Sequence, residues 1–235
     1  KPMQRPSIIS AVLRGDPDTE VPVWLCISGI LLGCGLYGFA IGSWRAPHMG
    51  LYVGVKFPLL ILATLCGTGL MNGILGQLIG SGLSFADSFK SQLTSFLIFS
   101  LLLGSLSPIA FLLAFEMPGW TDELKFESYR SQVHIHTGVI AYAGLLANHK
   151  LYRILQSRIG NLTTARQTLV IWLAGNLFVG AQLSWNLRPF FGSPYTGVEF
   201  LRSDWRDKTF YESIFTSLSQ TLGLYPHTYT SNDKS

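Results

Sequence analysis

Four histidines are the side chains of this sequence best suited to metal or haem chemistry. His134, His136 and His149 lie on or beside one apolar stretch, and His48 follows an earlier one. Successive helical positions are roughly 100° apart, so His134 and His136 point about 200° apart and cannot bind one ion without unwinding the helix. A site made from His48, His134 or His136 with Glu116 stays open as an alternative. We expect no metal or haem on the isolated chain.

Other groups that could do chemistry are scarce. The sequence has no glycine-rich nucleotide motif, no HExxH, no GxSxG and no paired carboxylates within its apolar stretches. Amides are the strongest hydrogen-bonding groups inside those stretches, and amides more often hold helices together than line a path for a substrate. We therefore predict a protein that is not an enzyme. The amides are Asn72, Gln77, Asn148, Asn176, Gln182 and Asn186.

The composition indicates that the elements carrying these groups lie in a membrane. Hydrophobic residues make up 48% of the 235 residues and charged residues 13%, whereas about a quarter of a soluble domain is charged. Five nearly uncharged stretches have the roughly 20 residues that a helix needs to cross hydrocarbon. The sequence predicts an all-α polytopic membrane helical bundle of about five transmembrane helices, with short interfacial helices at both ends. The predicted spans cover 23–43, 56–79, 93–115, 133–151 and 168–187, the fourth being the shortest and most polar.

Two prolines lie within the second and third predicted spans. Because the second span is predicted to begin near Lys56, Pro58 falls in its first turn, where proline is tolerated, and 46–54 becomes an exposed hairpin. Pro108 lies late in the third span, where it frees a backbone carbonyl that neighbouring helices would have to satisfy. We therefore predict a kink near Ser107.

Glycines spaced four residues apart recur in the first two spans. Helices in lipid lack a hydrophobic drive to associate, so small residues that let backbones approach closely mark their contacts. We predict that these pairs pack spans one and two together inside the bundle rather than between two copies. The pairs are Gly29 with Gly33, Gly38 with Gly42, Gly69 with Gly73, and Gly76 with Gly80.

The chain divides into three regions: an arm at 1–22, the spans at 23–187, and an aromatic, amphipathic tail at 188–235. The tail is predicted to contain a helix with Asp207 or Thr209 as its N-cap and Gly223 just beyond its end. Such a tail fits either the membrane surface or a protein partner. Its predicted docking residues are Arg188, Phe190, Phe191, Trp205, Phe210 and Phe215.

The basic residues predict the orientation. The 150–166 connection is basic and has no acid, and a five-span chain puts it on the same side as the basic N-terminal arm. We therefore expect a cytoplasmic N-terminus and an external C-terminus. The net charge of +4 then reflects membrane topology, and nucleic acid is not an expected partner.

Several segments resemble a known group of proteins. Residues 56–65, 85–88, 105–110 and 180–194 together look like a bacterial family of uncharacterised five-span membrane proteins, similar in layout to Yip-type proteins. The most specific piece runs from Trp185 to Pro194. The resemblance implies a helical bundle in the bacterial cytoplasmic (inner) membrane, and it brings no catalytic residues with it.

Three functions remain as hypotheses at this point. The leading one is a structural or accessory subunit of a larger membrane complex, for example a respiratory or photosynthetic one, with membrane lipids and other integral membrane subunits as partners. The alternatives are a haem- or metal-binding redox protein that uses the histidines, and a small-molecule or lipid transporter lined by the amides. No cofactor is predicted; bound lipid is expected, and a haem or pigment is left open.

Overall fold

The computed structural model describes residues 21–116, 125–191, 197–202 and 209–221. The predicted interfacial helix of the N-terminal arm, Trp205 and Gly223 lie outside these ranges. Within them the regular structure is entirely α-helical, which confirms the all-α prediction. The helices are α1 (Val23–Ser43), α2 (Pro47–Leu78), α3 (Phe85–Glu116), α4 (Lys125–Ile159), α5 (Leu162–Asn186) and α6 (Phe210–Thr221).

Four of these helices, α1, α2, α3 and α5, are long and apolar enough to cross a membrane. The fourth predicted span lies in α4. At 35 residues this helix is long enough to cross a membrane, but its composition is too polar for it to count as a span by composition alone. The polarity has a structural reason, because polar side chains such as Gln132 and His136 are buried against the bundle. The chain is thus a multi-pass helical membrane bundle.

The second helix begins earlier than predicted. Residues from Pro47 onward are helical, so the exposed hairpin expected at 46–54 is wrong and the connection shrinks to 44–46. The physical reason is packing, since Met49 and Val53 are fully buried where α2 meets α1. Pro47 takes the first helical position, where its missing N–H costs nothing. Pro58 therefore lies in the helix interior rather than in a first turn.

The glycines of α1 lie at close contacts between helix backbones. A Cβ on Gly38 would come within 2.7 Å of the Val53 carbonyl oxygen of α2, and one on Gly42 within 2.7 Å of the Met49 carbonyl oxygen. Gly33 meets a backbone carbonyl of α3 in the same way. These contacts lie within one chain, with α1 packed against both α2 and α3. The α3 partners of Gly29 and Gly33 are Leu97 and Ser100.

The glycines of α2 face different neighbours. Gly69 and Gly73 lie against the rings of Phe89 and Phe85 at the start of α3. Gly76 lies beside the Trp172 indole of α5. Gly80 makes no such contact: it has a φ of +80° in the turn after α2, a conformation that glycine adopts without strain.

Helix α3 runs continuously through Pro108. The carbonyl that this proline leaves without its helical N–H partner is that of Gly104. The Ser107 hydroxyl donates to the Gly104 carbonyl at 2.8 Å. The freed acceptor is therefore satisfied by its own helix, not by neighbouring helices as the sequence suggested.

Helix α4 lies antiparallel along nearly the whole length of α3. One contact joins the end of α4 to the start of α3, a second lies near the middle, and a third joins the start of α4 to the end of α3. The contacts are Arg158 Nη1 to Asp87 Oδ1 (3.8 Å), Ser95 Oγ to the Ala147 carbonyl (3.4 Å) and Gln132 Nε2 to the Leu113 carbonyl (3.4 Å).

Candidate ligand-binding cavity

Four polar side chains from three helices form a hydrogen-bonded cluster inside the bundle. Asn72 of α2 donates through Nδ2 to Gln92 Oε1 of α3 at 2.8 Å and to Asn176 Oδ1 of α5 at 3.0 Å. The Thr68 hydroxyl contacts the same Asn176 oxygen at 2.7 Å. Asn72 and Gln92 are fully buried. Because the membrane interior has no water to bond to them, their amide groups hydrogen-bond to other side chains instead. We call these four residues the amide cluster.

A tryptophan fixes α5 beside this cluster. The Trp172 indole N–H donates to the backbone carbonyl of Asn72 at 2.7 Å, and the whole side chain is buried. The indole lies beside Gly76 of α2, where an added Cβ would be 3.5 Å from the ring. The amide cluster and Trp172 thus set the spacing of α2 and α5.

The amide cluster adjoins a cavity of about 220 Å³ lined by residues of α2, α3, α4 and α5. Most of its lining is aliphatic or aromatic. No acidic, basic or histidine side chain lines it among the described residues, so it suits an uncharged guest. We call it the α2–α5 cavity, and its polar lining residues are Thr64, Gln92, Ser95, Asn148 and Asn176.

The cavity opens toward lipid between α4 and α5. The two helices join an apolar cluster at one end through Leu151, Leu155 and Ala165. Nearer the middle of the helix, a Cβ placed on Gly144 would meet nothing within 4 Å. Leu177, which lines the cavity from α5, is 63% exposed. A molecule dissolved in the bilayer could therefore enter sideways through this gap.

A second groove lies between α1 and α3 and has a volume of about 360 Å³. Its lining is leucine, valine and glycine, with Ser28 and Ser105 as its polar residues. The Ser28 and Ser105 hydroxyls already donate to backbone carbonyls of their own helices, at 2.8 and 2.7 Å. This groove can accept a hydrocarbon chain but offers little to recognise a polar head, so the α2–α5 cavity is the better candidate site.

The structure separates the four candidate histidines. His48, His134 and His149 are exposed, whereas His136 is buried. Its ring nitrogens contact the Tyr37 hydroxyl at 2.9 Å and Gln132 Oε1 at 2.7 Å. Among the described residues, no group of three or more His, Cys, Asp or Glu side chains could hold a metal ion.

A buried lysine lies at the same end of the bundle as His136. Lys56 of α2 is fully buried; its ammonium donates to the Pro189 carbonyl at 3.1 Å and lies 4.9 Å from the centre of the Phe200 ring. Sequence reasoning placed it at the start of a span and missed this role. The available signal was a lone cation between Val55 and Phe57 in an apolar run.

The predicted docking residues divide into internal and exposed positions. Phe190 packs on Phe57 (6.4 Å between ring centres) and Phe191 stacks on His136 (6.2 Å), so these rings contact the chain's own core. The Arg188 guanidinium lies over the Trp185 ring at 3.7 Å. Phe210 and Phe215 belong to α6, and a docking function for any of the six residues stays a prediction.

Helix α6 is capped by Thr209, one of the two predicted N-caps, and packs on α5; the other candidate, Asp207, lies outside the described residues. The Glu212 N–H donates to the Thr209 hydroxyl at 3.1 Å, and the Thr209 N–H donates to the Glu212 carboxylate at 2.9 Å, which is a capping box. The Tyr211 ring stacks on Phe178 of α5 at 4.6 Å. Ile214 and Phe215 remain 49% and 67% exposed.

Comparisons with protein-family models, with curated proteins and with solved structures found no match to this chain. The resemblance to bacterial five-span and Yip-type proteins therefore stays a prediction. Function has to be inferred from the α2–α5 cavity and the side chains around it.

Proposed function

We propose that this chain is a non-catalytic integral membrane protein that binds an uncharged, largely apolar molecule in the α2–α5 cavity. The observation that carries the proposal is a cavity of about 220 Å³ that opens to lipid and has amides in an otherwise apolar wall. A cavity of about 150 Å³ is already enough to hold benzene. Of the three hypotheses drawn from the sequence, this arrangement favours the one in which amides contact a small molecule or lipid.

We also propose that the chain crosses the membrane five times. Contacts between α3 and α4 at both ends and near the middle support a crossing by α4, because α3 itself is long and apolar enough to span. Basic residues in 150–166 favour a cytoplasmic location for the α4–α5 turn. We place the N-terminus in the cytoplasm and the protein in the bacterial inner membrane.

Filling the cavity tests the function. Gly144→Leu puts a side chain into open space at the cavity wall, and Gly138→Leu is the matched control, because Gly138 is open, lies on the same helix and does not line the cavity. We expect protein purified in mild detergent to carry a neutral lipid that is lost from Gly144→Leu and kept by Gly138→Leu, as measured by mass spectrometry of organic extracts. Equal lipid content in both variants would exclude this cavity as the site.

The accessory-subunit hypothesis is kept as a second candidate function. The observation in its favour is α6, which is held against α5 by Tyr211 while exposing Ile214 and Phe215. Replacing both exposed residues by Ser should release any partner subunits that co-purify with the natural chain. If the partners stay bound at the same yield, α6 is an anchor in the membrane interface.

A further inference from the structure

The α2–α5 cavity has both a hydrogen-bond donor and an acceptor to offer a ligand. Asn176 Oδ1 accepts from Asn72 Nδ2 at 3.0 Å and lies 2.7 Å from the Thr68 hydroxyl, whose single proton is shared with the Thr64 carbonyl at 2.8 Å. This leaves the Asn176 amide N–H groups as donors. Asn148 Nδ2 donates to the Gly144 carbonyl at 2.9 Å, which leaves Asn148 Oδ1 as an acceptor. The two amides thus offer opposite hydrogen-bonding roles.

The two asparagines lie on facing helices at similar depth. Helices α4 and α5 run antiparallel from the turn at Gly160 and Asn161, with Asn148 twelve residues before Gly160 and Asn176 fifteen after Asn161. A difference of three residues corresponds to about 5 Å along a helix axis. Both line the same cavity, so a guest molecule there meets one amide on each of the two facing helices.

The walls exclude a charged head. In the described part of the chain no lining residue carries a charge, and an ion buried without a partner is strongly disfavoured. The neighbouring cation, Lys56, does not line the cavity and directs its ammonium to the Pro189 carbonyl. A carboxylate, phosphate or amine head therefore finds no counter-ion here.

We propose that the α2–α5 cavity selects an uncharged lipid whose head is a hydroxyl group. The inference rests on the proposed function and narrows its ligand class. A hydroxyl both donates and accepts, so it can satisfy Asn148 Oδ1 and the Asn176 amide together. An ester, ketone or ether oxygen only accepts and leaves Asn148 Oδ1 unsatisfied, and a hydrocarbon leaves both unsatisfied.

A competition series in lipid nanodiscs tests the hydroxyl. The 235-residue chain is loaded with tritiated hexadecan-1-ol, which is then displaced by unlabelled hexadecan-1-ol, its methyl ether or hexadecane. In the natural chain we expect the alcohol to compete at about a tenfold lower mole fraction than the ether, the effect of one buried hydrogen bond. Asn148→Leu should bring the alcohol and the ether to within about twofold, because the acceptor that distinguishes them is gone.

Asn148 is the better position to substitute because its one described hydrogen bond goes to its own helix, whereas Asn176 joins the amide cluster.

If the ether competes as well as the alcohol in the natural chain, the hydroxyl inference fails and the proposed function stands. If labelled alcohol does not bind and Gly144→Leu leaves lipid content unchanged, both fail. A preference for the alcohol that survives Asn148→Leu also overturns the assignment.

Discussion

At the residue scale, the α1 glycines are contact surfaces rather than flexible points. A methyl group on Gly33 would overlap the backbone carbonyl of Ser100, which cannot turn away as a side chain could. Gly138 is also a glycine within a helix, but a Cβ added to it would meet nothing within 4 Å. The same substitution, glycine to alanine, can therefore be compared at a position of close backbone packing and at an open position.

The first prediction follows from that comparison. Gly33→Ala should lower the free energy of unfolding by about 1–3 kcal/mol, because α1 and α3 must move apart. Gly138→Ala should leave it unchanged or raise it slightly, since alanine favours a helix. Thermal unfolding in detergent measures both. Equal Tm values for the two variants would contradict the α1–α3 packing described here.

The second prediction concerns the buried lysine. Lys56→Met keeps an apolar stem but removes the donor to the Pro189 carbonyl, so the segment that carries Phe190, Phe191 and Phe200 should open more often. We expect amide hydrogen exchange in peptides from 188–191 and 197–202 to rise about tenfold, in line with one lost hydrogen bond to a charged group. The control is Lys90→Met, since Lys90 is exposed. Unchanged exchange in Lys56→Met would show that other contacts hold the segment.

At the element scale, α4 decides the number of spans. Its composition is too polar to mark it as a span, yet it contacts α3 at both ends and near the middle. If α4 crosses the membrane, the α4–α5 turn lies on the side opposite the α1–α2 turn. If it does not, the two turns share a side.

The third prediction uses this difference. His48 and Thr163 are exposed next to the two turns, and single cysteines can replace them in a Cys66→Ala background that removes the exposed native thiol. In intact cells we expect a membrane-impermeant thiol reagent to label His48→Cys from outside and to reach Thr163→Cys only after permeabilisation. Labelling of both positions from outside would mean that α4 does not cross.

At the scale of the whole molecule, hydropathy and spacing were enough to predict the class of fold. Apolar stretches of spanning length predicted the helical bundle, and α1, which begins at Val23, starts where the first predicted span starts. The N-cap of α6 could be narrowed to Asp207 or Thr209, because capping depends on a few neighbouring residues.

Features that depend on contacts between distant residues were not predictable in the same way. Hydropathy placed the start of α2 near Lys56, whereas packing of Met49 against α1 extends the helix back to Pro47. The cavity is lined by residues of four helices that lie far apart in the sequence, which no local pattern encodes. Likewise, the sequence supplied the amides but not the bonds that join Asn72, Gln92 and Asn176.

The measurement that tests the central proposal most directly is photo-crosslinking with a long-chain alcohol that carries a diazirine near its hydroxyl. We expect saturable labelling of cavity residues on α4 and α5, such as Ala147 and Leu173, which excess hexadecan-1-ol prevents and Gly144→Leu abolishes. Labelling restricted to outward-facing residues such as Leu31 and Leu112, and insensitive to competitor, would mean that the lipid is only solvent and that the cavity binds no ligand.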